Sequence, residues 1–359
     1  MCPGVKEPVD SSQTDDGRLD VVAVGSALVD VVARVEENVI GRAQLVKSTM
    51  ELTDLDRSRR IYDLLGPAVE SSGGSAANTA AGVAALGGKV GYVGKVAPDG
   101  FGAIFAHDLA AMGVELAGSM LVPPTGHLDA VAEEVAGGEM GEDVGTGRCL
   151  VLVTPDGERT MATHLGVAST LDVQDIDEAL VARAEILYLE GYLWDLAPAK
   201  QAMRRAIEVA HGAEAAVALT VSDPFCVGRH RADFLELVEG EIDILFANEE
   251  EALMLFGETS LDQVIDAARE TGLLVALTRG AAGSVIIGPQ GWVEVPAVRV
   301  RSVVDTTGAG DLYAAGFLYG LTHGGDPEDA ARLGSLCAAE IVSHLGARPE
   351  DDLRRLVDR

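Results

Sequence analysis

Residues 305–321, DTTGAGDLYAAGFLYGL, form the most specific pattern in the chain. The preceding RVRSVV is extended in character, whereas LYAAGFLYGL has the small apolar residues of a packed helix. Gly308, Ala309 and Gly310 are therefore expected at a helix N-terminus, where N–H groups and the helix dipole favour an anion. Glycine also lets the backbone approach a ligand closely. The pattern predicts a loop-to-helix anion site in an α/β fold.

Asp311 directly follows these glycines and is an unexpected neighbour for a bound phosphate, because like charges repel. Its presence is explained if a hydroxyl attacks the held phosphoryl group and Asp311 accepts the proton. Phosphoryl transfer needs little beyond positioning, charge stabilisation and such a base. An ordinary helix N-cap is the alternative for a lone Asp, but the whole string DTTGAGD favours a general base.

Two other phosphate-binding patterns are absent from the sequence. It contains no G-x-x-x-x-G-K-[ST], and the first apolar strand, which runs into GSAL, lacks G-x-G-x-x-G. Both absences argue against the common P-loop NTPases and dinucleotide-dependent dehydrogenases.

Outward from the motif, apolar strands alternate with helical segments over most of the chain. This βαβα rhythm predicts a doubly wound, mostly parallel sheet with helices on both faces. Residues 31–50 and 119–165 break the rhythm with short alternating strands and are expected to form a small β-sheet lid. The acidic segment 128–147 is expected to be a solvated loop without chemistry. The other predicted ranges are a flexible tail at 1–17 and a nucleotide- and substrate-binding core at 18–30, 51–118 and 166–359.

Charge and composition exclude several classes of partner. The chain has 57 acidic and 27 basic residues, for a formal charge of −30, so binding to nucleic acid or to an anionic membrane is not expected. Neither a signal peptide nor a membrane span is expected, because no apolar stretch is long enough. Four scattered cysteines without a C-x-x-C pair predict reduced thiols in a cytoplasmic protein.

DTTGAGD is similar to the C-terminal signature of the ribokinase (PfkB) family of kinases. The stretch SGGSAANTAAGVAALGGKVGYVGKVAPDGFG (72–102) resembles the N-terminal signature of the same family. The two lie in the expected order, and the resemblance extends from Val21 to Pro349. It implies a ribokinase-like fold with a lid, and an enzyme that uses ATP and Mg²⁺ to phosphorylate a primary hydroxyl of a small molecule.

The resemblance also implies roles for individual residues. Asp311 would be the catalytic base, and Gly308, Ala309 and Gly310 would form the anion hole. Asn248 and Glu251 would support Mg²⁺, directly or through water, and Asp305 and Thr307 would suit a monovalent cation such as K⁺. The residues expected to bind the acceptor substrate are Ser26, Asp30, Gly73, Gly74, Ser75, Asn78 and Tyr192. Those expected to bind the nucleotide are Ser222, Asn248, Thr278, Gly280 and Ser335.

Several of these residues have plainer alternatives. Asp30, at a predicted strand end, suits a cis-diol because a carboxylate accepts two charge-assisted hydrogen bonds, but it would also suit a solvated loop. Asn78 would cap its own helix equally well. Glu251 ends an acidic run that complements a helix dipole. Ser335 stands where some members of the family have an Asn near the adenine, which puts a contact with the base in doubt.

Three shorter segments resemble the branch of the family that phosphorylates adenosine. These are GSALVD at 25–30, TGRCLVLVTPDGERTMATHLG at 146–166, and LEGYLWD at 189–195. Tyr192 and Trp194 are candidates for an aromatic wall against a purine, with a plain core role as the alternative. A sugar kinase acting on ribose, fructose or a keto-deoxy sugar acid is the second hypothesis, and a non-catalytic binding protein is the third. The sequence leaves monomer and homodimer equally open.

Overall fold

The computed structural model describes residues 17–120 and 145–357. The predicted tail therefore lies outside the described residues except for Gly17, as does most of the acidic segment 128–147. The strands, in chain order, are β1 Leu19–Val24, β2 Leu28–Arg34, β3 Met50–Leu52, β4 Ala68–Gly73, β5 Val90–Val93, β6 Glu115–Leu116, β7 Gly147–Val153, β8 Arg159–His164, β9 Ala184–Glu190, β10 Ala216–Thr220, β11 Ile244–Asn248, β12 Leu274–Thr278, β13 Ser284–Gly288 and β14 Gly291–Val295. The α-helices are α1 Glu37–Arg42, α2 Leu55–Tyr62, α3 Ser75–Leu86, α4 Gly100–Ala111, α5 Glu178–Val181, α6 Ala197–Gly212, α7 Pro224–Gly240, α8 Glu249–Phe256, α9 Leu261–Thr271, α10 Ala309–Thr322, α11 Pro327–Ile341 and α12 Arg354–Val357.

Nine strands form the large sheet, in the order β14-β13-β12-β11-β10-β9-β1-β5-β6. All neighbours are parallel except the pairs β12–β13 and β13–β14. Val21, Val22, Ala23 and Val24 are all fully buried, and because successive side chains point to opposite faces, both faces of β1 are covered. The expected α/β fold is confirmed.

The chain order reverses direction around β1, which lies between β9 and β5. In open α/β sheets, ligands bind at such a switch point, beyond the carboxyl ends of the strands. The predicted residues Ser26, Tyr192, Ser222, Asn248 and Thr278 all lie at or just after the carboxyl ends of β1, β9, β10, β11 and β12.

Helices α3 and α10 pack closely because their facing residues are small. A Cβ on Gly82 of α3 would come within 2.6 Å of the Ala315 Cβ on α10. This spacing explains the Ala- and Gly-rich composition of both helices. It also brings the N-terminus of α3, with Ser75 and Asn78, against the N-terminus of α10, with Asp311.

A second sheet has five strands in the order β3-β8-β7-β2-β4 and corresponds to the expected lid. The structure places its strands partly outside the predicted ranges 31–50 and 119–165. Strand β2 begins at Leu28, β3 extends to Leu52, and β4, Ala68–Gly73, pairs antiparallel with β2. The sequence AVESSG of β4 has no apolar alternation. It belongs to this sheet because it pairs with β2, and no local sequence pattern predicts that pairing.

Alternation separates the two faces of this lid sheet. Arg148 donates from Nε to Ser58 Oγ of α2 at 2.8 Å, so the face of β7 that carries Arg148 lies against a helix. The opposite face carries Asp30, paired with Cys149, and Val32, paired with Val151. Within the described ranges, no helix is long and apolar enough to cross a membrane.

Candidate active site

The N-terminus of α10 is open to a ligand. Gly308 is its N-cap, with φ +77°, and no side chain caps the helix. A Cβ on Gly308 would lie 2.8 Å from the Ala347 Cβ, so glycine is required for both conformation and space. A Cβ on Gly310, by contrast, would have no heavy atom of the described residues within 4 Å beyond its own helix and chain neighbours. The helix dipole and the first N–H groups therefore point at accessible space, which suits an anion.

Asp311 lies in the first turn of α10 and is held by α3. Ser75 Oγ donates to its Oδ1 at 2.7 Å, and Asn78 Nδ2 donates to its Oδ2 at 2.8 Å. Burial raises the pKa of Asp311, while these two hydrogen bonds and the charge of Arg348 oppose that rise. Because Gly308 is the N-cap, Asp311 does not serve as one. It is a positioned, half-buried carboxylate, which is what a general base requires.

A cavity of about 310 Å³ lies beside Asp311, a size that accommodates a small ligand. Nine of the predicted residues line it: Ser75, Tyr192, Ser222, Asn248, Glu251, Thr278, Gly308, Gly310 and Asp311. Sequence reasoning missed six others, which are Tyr188, Thr220, Phe246, Ala247, Ala276 and Tyr313. Most of the missed residues belong to the apolar strand runs, where the pattern indicated only burial.

Ser222, on this cavity, has a left-handed backbone with φ +75°, which is uncommon for a residue other than glycine. The backbone N–H of Tyr192 donates to its hydroxyl at 3.3 Å. Tyr192 itself is 38% exposed, so it is not a core residue. Trp194 differs: it is wholly buried and packs on Phe234, so the prediction that it forms a wall against a ligand is wrong.

Asn248 and Glu251 form a capping box at the start of α8. The Asn248 N–H donates to Glu251 Oε2 at 2.9 Å, and the Glu251 N–H donates to Asn248 Oδ1 at 2.9 Å. Burial raises the pKa of Glu251 to about 7. No group of three or more acidic, His or Cys side chains suited to a metal ion occurs among the described residues. This single buried carboxylate fits Mg²⁺ held through water better than a closed metal cage.

Asp305 and Thr307 are already engaged within the protein. Asp305 accepts from the Thr307 N–H at 2.9 Å and from the Gly346 N–H at 2.8 Å, and it pairs with Arg159. Its negative charge is thus compensated by a guanidinium group. A monovalent cation bound directly by this carboxylate does not fit the arrangement.

The predicted acceptor side centres on Asp30, which the structure places within β2, between β7 and β4, and not at the strand end that the sequence indicated. Burial raises its pKa to about 6, with Arg348 opposing that rise and Asp311 adding to it. A Cβ on Gly73 would overlap the Asp30 carboxyl group, and a Cβ on Gly74, at φ +93°, would overlap the Ser26 carbonyl oxygen. Glycine is therefore required at both positions, because any larger residue would collide with Asp30 or with the Ser26 carbonyl group beside it.

Glu190, at the end of β9, is a further buried carboxylate that sequence reasoning missed. It accepts from the Ser26 N–H at 2.7 Å and from the Ala76 N–H at 2.9 Å. It therefore ties the loop after β1 to the start of α3. Burial raises its pKa to about 6.

Not every predicted residue lines the cavity. Ten of them are absent from its walls: Ser26, Asp30, Gly73, Gly74, Asn78, Gly280, Asp305, Thr307, Ala309 and Ser335. Ser335 is buried in α11. Arg159 and Arg348 were missed, although both act electrostatically on Asp30. Alternation along β8 could have placed Arg159 on the cleft face, whereas nothing in the irregular segment around Arg348 signals its contacts.

A half-buried carboxylate against an open helix N-terminus, at the switch point of a parallel sheet and beside a second small sheet, is the arrangement of a kinase of small molecules. Comparison with known proteins identifies the family. Residues 135–353 match the model described as pfkB family carbohydrate kinase. The chain belongs to the PfkB family.

Its relatives carry different names. A solved structure titled as a probable sugar kinase from Rhizobium etli is 40% identical, with TM-score 0.83 over 95% of this chain and 98% of that one. The structure of adenosine kinase from Sinorhizobium meliloti is 41% identical, with TM-score 0.82 over 95% and 99%. A 5-dehydro-2-deoxygluconokinase from Photobacterium profundum is 28% identical, over 91% of this chain and 90% of that protein.

Proposed function

We propose that the protein transfers the γ-phosphoryl group of ATP to the primary hydroxyl of a nucleoside, most simply adenosine, giving the 5′-monophosphate and ADP. The observation that supports this choice is an apolar cluster on the lid face that bears Asp30. Cys149, Val151 and Val153, all buried, form this cluster with the partly buried Val32 and Met161. A carboxylate for the ribose diol on the same face as apolar side chains for the base suits a nucleoside.

The transfer follows from the arrangement around Asp311. Its carboxylate accepts the proton of the attacking hydroxyl as the new O–P bond forms, and the bond from the γ-phosphorus to the bridging oxygen breaks to release ADP. The N–H groups at the start of α10 stabilise charge on the transferring oxygens. Arg159 reaches the same loop from the lid and adds positive charge.

Mg²⁺ would neutralise phosphate charge when bound, and Asn248 with Glu251 would hold it through water. Thr278 and Ser222, on the cavity wall, would contact the nucleotide. Ser26, Gly74 and Asn78 would complete the acceptor side around Asp30.

The expected preference for a nucleoside over a free sugar, as a ratio of kcat/KM values, follows from the free energy of binding the base. Burying one face of a purine removes roughly 100 Å² of apolar surface, worth about 2.5 kcal/mol at about 25 cal/mol per Å². Stacking on Tyr192 would add about 1–3 kcal/mol. Adenosine should therefore exceed ribose in kcat/KM by about 10³-fold, in a direct comparison at fixed ATP and Mg²⁺.

A sugar kinase is the second candidate, supported by the relative named 5-dehydro-2-deoxygluconokinase and by the suitability of Asp30 for any vicinal diol. Equal turnover of ribose, fructose or a keto-deoxy sugar acid would overturn the nucleoside proposal. Val151→Asn offers a further test, because a polar side chain on the apolar face should lower kcat/KM for adenosine and leave that for ribose unchanged.

A further inference from the structure

The segment that follows α11 contacts both sides of the site. The Gly346 N–H donates to Asp305 Oδ2 at 2.8 Å, and Ala347 packs against Gly308 at the start of α10. Arg348, the next residue, extends away from the anion loop towards the acceptor side. The same three residues thus contact the phosphate loop and the residues around Asp30.

The Arg348 guanidinium makes two hydrogen bonds within the protein. Nη1 donates to Asn78 Oδ1, and Nη2 donates to Ser72 Oγ at 2.9 Å. Ser72 is itself anchored, because its N–H donates to Asp108 Oδ2 of α4 at 2.9 Å. A planar guanidinium held at two points fixes the direction of the two N–H groups that make these bonds.

These bonds determine which end of the Asn78 amide faces Asp311. Only the Oδ1 end accepts hydrogen bonds, so Oδ1 must face Arg348. The Nδ2 end then points to Asp311 Oδ2 and donates to it at 2.8 Å. With the amide turned over, a donor would face the guanidinium and an acceptor would face a carboxylate, and both contacts would be lost.

We propose that Arg348 is a positioning residue for the general base: it locks the Asn78 amide so that Asn78 donates to Asp311 and holds it as an ionised proton acceptor. This rests on the proposed role of Asp311 in the transfer. Arg348 contributes its charge in the same direction, since its guanidinium favours the ionised form of Asp311.

The charge of Asp311 also depends on its other neighbours. The groups that interact with it electrostatically are Asp30, Glu190, Tyr188, Tyr192 and Arg348. Among these, Arg348 alone carries positive charge, so its removal leaves only the hydrogen bonds from Asn78 and Ser75 to oppose the rise in the pKa of Asp311 that burial causes. Protonation of Asp311 would then abolish its function as a base at a higher pH than before.

Arg348→Met tests the proposal, because it keeps much of the side-chain stem and removes both donors. We expect kcat at pH 7 to fall about 10–100-fold, a part of the 10²–10⁴-fold that a positioned base contributes, with KM for ATP nearly unchanged. The acid limb of the kcat–pH profile should move to higher pH, and Arg348→Lys, which keeps the charge, should restore most of that shift. Arg355→Met is the control, since Arg355 is 82% exposed in the same part of the chain.

A double-mutant cycle separates positioning from packing. Above the acid limb, where Asp311 is fully ionised and the charge of Arg348 no longer decides its protonation, Arg348→Met should change kcat by less than about threefold in an Asn78→Ala background if Arg348 acts through Asn78. Equal losses in both backgrounds, or an unshifted pH profile, would overturn the proposal. If Arg348→Met does not fold, the same cycle with Arg348→Lys decides the matter. Activity that survives Asp311→Asn would instead overturn the proposed function.

Discussion

Arg159, the first residue of β8 in the lid sheet, donates from Nη1 to Thr307 Oγ1 at 2.6 Å, directly before the anion loop at the start of α10. Its other terminal nitrogen pairs with Asp305. The lid therefore contacts the part of the large domain where the transferring phosphate is proposed to lie. In the proposed reaction, this one contact would both hold the lid over the acceptor and bring positive charge to the phosphate loop.

We expect Arg159→Met to lower kcat by about 10–100-fold, because it removes a cation near charge that develops during transfer. Steady-state kinetics with saturating ATP and acceptor measures the effect, and a thermal melt checks the fold. Arg42→Met, at an exposed position on lid helix α1, is the matched control and should be neutral. A kcat for Arg159→Met within twofold of the unaltered protein would show that the contact only closes the lid.

Asp311→Asn should leave the protein folded and slow the transfer by about 10²–10⁴-fold, since Asn cannot accept the proton of the attacking hydroxyl. The measurement is kcat at saturating concentrations of both substrates. Asp326→Asn makes the same chemical change at the exposed N-cap of α11, where Asn caps equally well, so activity should persist there. Activity of Asp311→Asn within a few-fold of normal would contradict the assignment.

Gly73→Ala should weaken acceptor binding, because the added methyl group would displace the Asp30 carboxylate that it overlaps. Two hydrogen bonds to a charged group are worth roughly 1.5–3 kcal/mol each, so acceptor KM should rise at least tenfold. KM for ATP should stay the same. At Gly66 a Cβ meets nothing among the described residues within 4 Å, which makes Gly66→Ala the control. Parallel losses for both substrates would indicate a general disturbance.

The pH dependence of acceptor use should report Asp30. Because burial raises its pKa to about 6, Asp30 is ionised at neutral pH and protonates as the pH falls through about 6. The protonated group accepts fewer hydrogen bonds from a diol, so kcat/KM for the acceptor should fall on the acid side of pH 6. Asp30→Asn should give a lower value throughout and lack this limb. A limb of the same shape in Asp30→Asn would assign it to another group.

The parts of this molecule that the sequence predicts well are those governed by local pattern. The buried strands of the large sheet have continuous apolar runs, and the glycines and Asp311 of the anion site adjoin one another in the chain. Local pattern also explains the error at Trp194: an aromatic residue after an apolar strand suits a ligand wall and a core equally well. Only its packing against Phe234 distinguishes the two.

The contacts that complete the site join residues far apart in the chain, and sequence reasoning missed them. Glu190 lies 164 residues from Ser26, and Arg348 lies 270 from Asn78. In neither case does a spacing or a periodicity connect the partners. The predicted lid ranges omit β4 for the same reason, because β4 joins the second sheet only through its pairing with β2.

The buried carboxylates also bear on how the unliganded protein responds to acid. The pKa values of Asp30 and Glu190 are about 6 and that of Glu251 about 7, all above their ordinary values in an unfolded chain. A raised pKa means that the folded state takes up protons first, so stability is gained as the pH falls from 7 towards 5 and lost as it rises again. His164, whose pKa burial lowers, acts in the opposite direction.

The free energy of unfolding, measured with urea at several pH values, should therefore be greater near pH 5 than near pH 7.5. A flat or opposite trend over this interval would contradict the expectation. Bound substrates and Mg²⁺ should reduce the difference, because partners for Asp30 and Glu251 stabilise the ionised forms of these two carboxylates. In the unliganded protein, the ionised forms of these carboxylates are therefore less stable than they would be in water. The pH at which the empty protein is most stable differs from the pH at which the ionised groups can bind substrates.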